Sequence, residues 1–139
     1  MVGEGSGHLW YSAASRGPAC YTTLNTTRGF IEKHPDVVLR MTRAVYRVQK
    51  WIAAHHAGEL ASVVAPYLPD VPLPVRTACC EDYKESGVWS REPIVQRAGL
   101  EWKRDAMLSS GAIRGRLDYD AYVDTRFADA VMREDPPPI

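Results

Sequence analysis

No apolar run in this chain approaches the roughly 18 residues that a membrane span requires, and neither sign of charge is in surplus, with 17 Lys and Arg against 17 Asp and Glu. The first absence argues against a transmembrane helix. The second disfavours a nucleic-acid partner held by a global positive field. Cysteine is scarce: Cys20, Cys79 and Cys80 are the whole set. An odd number with an adjacent pair makes a poor disulfide framework, and the CxxC and HxxxH spacings that close a tetrahedral zinc site are missing. Free thiols are expected, with no metal and no cofactor. The opening stretch, MVGEGSGHLW, lacks a basic segment followed by an apolar one. No secretory leader is read there, and as written the chain is expected to be cytoplasmic. GEGSG at 3–7 lacks the lysine and the preceding strand of a phosphate-binding loop.

A catalytic constellation is missing as well. Nucleophilic catalysis needs a nucleophile, a base in reach and a group that orients the base. Ser12 and Ser15 have no G-x-S-x-G elbow around them. His55 and His56 adjoin a helix C-terminus, where capping accounts for them, and adjacent histidines do not share a helix face. No catalytic residue is assigned, and the chain is expected not to be an enzyme.

What the chain has is an ordinary globular composition, 45% hydrophobic and 24% charged over 139 residues, enough for one domain. HLWYSAAS and ACYTTLNTT read as two short strands, because tyrosine and threonine suit a half-buried pleated surface. Asn25 or Thr26 is a plausible cap for TRGFIEKH. From Pro35 the pattern is helical: Val37, Val38, Met41, Ala44, Val45, Val48, Trp51 and Ile52 recur at steps of three and four, which makes one apolar face. Arg40, Arg43, Arg47 and Lys50 recur on the other, read as a solvated face. Further helical patterns follow in GELASVVAPYL, in VRTACCEDYKES up to Gly87, and from Pro93 to Gly111. A last one runs from about Asp120 to Met132, before the tail EDPPPI.

Two weak strands ahead of about five helices are marginal alone. The expected division is 1–25 as a segment with short strands, 26–132 as a helical part, and 133–139 as a disordered tail. One stretch has the inventory of a ligand cradle. In SRGPACYTTLNTT, at 15–27, an arginine, a tyrosine and several hydroxyls precede a helix start, the groups that hold a small oxyanion without chemistry.

The run CYTTLNTTRGFIEKHPDVVLRMTRAVYRVQKWIAAH resembles a region of ABC-transporter substrate-binding proteins of the nitrate/sulfonate/taurine type, a family that includes binders of thiamine precursors. The residues in common are Phe30-Ile31, Pro35-Asp36, Val38, Arg40, Ala44 and Trp51. YKESGVWSREPIVQRAGLEW and SGAIRGRLDYDAYVDTRFADA extend the likeness through about residue 132. The resemblance implies an α/β, type II periplasmic-binding-protein-like fold. This chain would supply a mostly helical C-terminal portion with two short N-terminal strands. It implies a protein that closes two lobes on a small anionic or nitrogen- or sulfur-containing solute and delivers it to ABC permease subunits. Its location would be the periplasm. On this reading Tyr11, Ser12, Arg16, Tyr21 and Thr22 are the ligand-binding candidates. Helices without their sheet would expose apolar faces, so self-association is a further expectation. Two other functions stay open: a stand-alone helical module that presents Arg40, Arg43, Arg47 and Lys50 to an acidic partner, and, more distantly, an enzyme of pyrimidine-precursor synthesis sharing the fold.

Overall fold

Thr27 starts the helical part of the chain. Its Oγ1 accepts the Phe30 backbone N–H at 3.2 Å, satisfying one of the donors that a helix start leaves orphaned. In a computed structural model that describes residues 5–12, 15, 17, 19–116 and 118–139, α1 (Arg28–Lys33) runs into α2 (Pro35–Ala54). Pro35 takes the first position of α2, where a missing N–H costs nothing, and Asp36 sits in the first turn, 2.9 Å from Arg40. His55 ends α2, its Nδ1 2.8 Å from the Trp51 carbonyl and its ring stacked on Trp51. After α3 (Ala57–Val63) and a short 3-10 turn (Ala65–Tyr67) come α4 (Leu73–Glu85), α5 (Arg97–Ser109), α6 (Tyr119–Tyr122) and α7 (Arg126–Glu134). Gly87 and Gly111 follow α4 and α5 with φ of 66° and 73°, the left-handed exit that glycine makes without strain.

The expected α/β architecture is not what forms: among the described residues there is no strand and no sheet. Strands are held by a neighbour's backbone, and residues 19–27 find almost none. Their long-range backbone bond is Cys20 N–H to the Gly99 carbonyl, at 3.5 Å. The tyrosines and threonines there match a pleated surface, but no second strand lies beside them to make one. The helix expected from Pro93 begins later, at Arg97, and the last one divides into α6 and α7.

Packing is local. Leu60 and Ala61 of α3 meet Cys80 of α4, with Trp51, Ile52, Ala57 and Trp89 closing around them. Lys84 reaches from α4 to the end of α2, donating to the Ile52 carbonyl at 2.8 Å and to the His55 carbonyl, and so satisfies carbonyls the helix leaves free. On the other side of α2, α7 buries Ala128 and Val131. Near α6, Tyr119 is buried, its hydroxyl 2.6 Å from the Val95 carbonyl and its ring 4.1 Å under the Arg97 guanidinium. Arg97 continues to Asp120 at 2.7 Å. Burial raises the Tyr119 hydroxyl above its ordinary pKa, with Arg97 opposing the shift.

Candidate functional site

The segment expected to meet a ligand runs along the surface. Tyr11 is 58% exposed, Ser12 is exposed, and its carbonyl accepts both the Ser15 N–H and the Ser15 hydroxyl, at 3.2 and 2.8 Å. Arg16 lies outside the described residues. Tyr21 is 92% exposed, with Lys103 of α5 5.8 Å from its ring centroid, and Thr22 beside it is exposed. Cys20 pins this part of the segment to the start of α5, through the Gly99 carbonyl and a thiol donation to the Gln96 carbonyl at 3.6 Å. Thr23 and Asn25 hydrogen-bond each other in a local turn. A cavity of about 40 Å³ is lined by Gln49, Ile52, Ala53, Lys84, Trp89, Ser90 and Arg91, none of which is among the five candidates. That volume suits water.

The feature with the most geometry lies on α2, and its signal in the sequence was spread over some ninety residues. Arg43 makes a two-pronged pair with Glu134: Nε to Oε1 at 2.8 Å, Nη2 to Oε2 at 2.8 Å. Arg47 donates to the Pro137 and Pro138 carbonyls at 2.8 and 3.2 Å, and Lys50 to Asp135 at 2.5 Å and the Pro136 carbonyl at 2.8 Å. Residues 133–139, expected as a disordered tail, thus finish α7 and run along α2, with Asp135 in the left-handed region (φ 47°) and Pro136 buried. Prolines cannot donate, but their carbonyls are strong acceptors, and two cations one turn apart, Arg47 and Lys50, match them. The Glu134 carboxyl is held below its ordinary pKa by the Arg43 hydrogen bonds, against a smaller opposing effect of burial.

This arrangement rotates α2 relative to the expected orientation, with Val38, Val45, Trp51 and Ile52 of the apolar face still half-buried. Arg43, Arg47 and Lys50, read as a solvated face, are half-buried under the tail. Thr42, Tyr46 and Gln49 are half-buried with them, whereas Val37, Met41, Ala44 and Val48 are exposed. A free basic face for an acidic partner is therefore not on offer, since three of its four cations are engaged by the chain's own C-terminus and Arg40 is paired with Asp36.

Cys80 is buried and Cys79 beside it exposed. Burial, with a smaller push from Cys79, raises the Cys80 thiol, the opposite of a reactive cysteine. Among the described residues no three His, Cys, Asp or Glu side chains come together as a metal site, and no helix is long and apolar enough to cross a membrane.

No protein-family model matches the chain, and no solved structure matches it. A curated protein of Bacillus subtilis (strain 168), named "Putative binding protein YtlA", is 25% identical over 132 residues. That match covers 94% of this chain and 40% of the relative, so the chain spans well under half of the relative's length.

Proposed function

We propose that this chain belongs to the solute-binding component of an ABC importer, of the nitrate/sulfonate/taurine and thiamine-precursor type, which holds a small anionic or nitrogen- or sulfur-containing solute and passes it to permease subunits in the periplasm. The activity is binding without catalysis. One observation carries the reading: 94% of the chain aligns, at 25% identity, with a relative named as a binding protein. The motifs around Pro35-Asp36, Arg40 and Trp51 add to it. Tyr11, Ser12, Tyr21 and Thr22 are exposed on the segment before α1, with Tyr21 near Lys103 of α5, and Arg16 is the cation of the same stretch in the sequence. Solute affinity then depends on groups beyond these residues, so the chain by itself should hold solute weakly.

The test is a chimera in which this chain replaces the matched 132 residues of the Bacillus subtilis relative. Thermal unfolding is followed with nitrate, taurine, short alkanesulfonates and a thiamine pyrimidine precursor. One of these solutes should raise the midpoint, and Arg16→Ala and Tyr21→Ala should abolish the rise. If no solute shifts the midpoint, the solute-binding reading is wrong. A rise that survives both substitutions would remove these residues from the site.

A further inference from the structure

Five consecutive residues of the C-terminal segment each give an acceptor to the same three cations. Arg43 takes the Glu134 carboxylate, Lys50 the Asp135 carboxylate and the Pro136 carbonyl, and Arg47 the carbonyls of Pro137 and Pro138. The contacts select a simple chemistry: an acidic pair followed by main-chain carbonyls whose own residues have no N–H. Proline removes that donor and fixes φ, so a run of prolines offers acceptors alone and loses little freedom when it is held. Tyr46 lies in the same row, with the Lys50 ammonium 5.1 Å from its ring centroid, and aromatic faces are what proline-rich segments dock on.

The hold is shallow. The Glu134 and Asp135 side chains are 43% and 72% exposed, and Pro137, Pro138 and Ile139 are exposed as well. Charge pairs this open are weak and are screened by salt. α7 has its own attachment, since it packs on α2 and buries Ala128 and Val131, so the segment after it can lift while α7 stays in place. We propose that Arg43, Arg47 and Lys50 form a recognition site for an acidic, proline-rich segment of a partner protein, and that residues 134–139 occupy it as a built-in competitor.

Occupation by the chain's own end sets what a partner must do. A segment on a short tether competes at an effective concentration on the order of millimolar. A partner peptide therefore binds poorly to the intact chain and gains as soon as the resident segment is weakened. Selectivity follows from the contacts. Amides in place of the two carboxylates lose the charge-assisted bonds to Arg43 and Lys50. The site does not rest on the solute-binding reading and stands or falls apart from it.

The test titrates the full chain, labelled with ¹⁵N, with the peptide REDPPPI, which copies residues 133–139. In a Glu134→Gln/Asp135→Asn chain the peptide should shift the Arg43 and Arg47 Nε–H signals. Its Kd should be about tenfold lower than for the wild-type chain, because the resident segment competes less well. The peptide RQNPPPI should bind that chain about tenfold more weakly than REDPPPI. In the same chain Arg47→Ala should remove the binding with unchanged far-UV circular dichroism, and Arg40→Ala, outside the row, should leave it intact. Absence of shifts at Arg43 and Arg47 overturns the site. Equal affinity for the wild-type and the weakened chain overturns the built-in competitor. RQNPPPI binding as tightly as REDPPPI, or a single-stranded oligonucleotide binding more tightly than either, would overturn recognition of an acidic, proline-rich segment.

Discussion

Replacing Leu60 with alanine is the sharpest probe of how little holds the chain together. Leu60 is 4% exposed and sits where α3, α4 and the end of α2 meet, against Ala61, Cys80, Trp51, Ile52 and Trp89. The substitution removes three side-chain carbons. At about 0.8 kcal/mol each this is roughly 2.4 kcal/mol of lost burial, and a cavity that the surrounding helices cannot fully close brings the cost to about 3 kcal/mol. With a urea dependence of about 2 kcal/mol per molar, the unfolding midpoint should fall by about 1.5 M. The control is Val63→Ala, one turn away on the same helix and 57% exposed, which should move it by no more than about 0.25 M, a surface-sized effect. Both are measured by circular dichroism at a fixed protein concentration. A Leu60→Ala shift no larger than the Val63→Ala shift would refute the claim that α3 and α4 form a packed core.

Two other outcomes follow from the same geometry. The Glu134 carboxyl has its folded pKa depressed by Arg43. Its contribution is therefore fully present above the unfolded value, 4.5, and is lost as pH falls through the lower folded value. Acid titration should release residues 135–139 before the helical circular dichroism is lost, and Glu134→Gln should remove that early step. Among the thiols, exposed Cys79 should be alkylated fastest at pH 8, while buried Cys80, its pKa raised, should react only on unfolding; mass spectrometry of partially labelled protein gives the order.

The helices were largely legible, because their signals are local. Pro35 at a first turn, Gly87 and Gly111 at exits, and the step of α2 residues all act within a few positions. The strands were misread because a tyrosine- and threonine-rich segment states a preference for a sheet and cannot show whether a second strand exists. For α2 the periodicity separated an apolar face from a basic one correctly. What turned the basic face inward was Glu134, Asp135 and three proline carbonyls, 85 to 91 residues away along the chain. A tail of acidic residues and prolines reads as disorder by composition; only the cations on α2 give it a place to lie. Thr27, rather than Asn25 or Thr26, caps α1, an error of one or two residues at a boundary where several polar side chains could serve. Of the ligand candidates, the sequence offered an inventory, and the described residues leave that inventory spread along an exposed segment.

The central claim is that Arg43, Arg47 and Lys50 of α2 are covered by the chain's own C-terminus, while Val37, Met41, Ala44 and Val48 of the apolar face are left outside. Backbone ¹⁵N relaxation of Asp135 and Ile139 tests it most directly. Seated along α2, both amides should show heteronuclear NOE values like those of α7, and both should fall when Arg43 and Arg47 are replaced together by alanine. Values near zero or negative for both in the wild-type chain would mean that the tail is free and that α2 presents its charges to water.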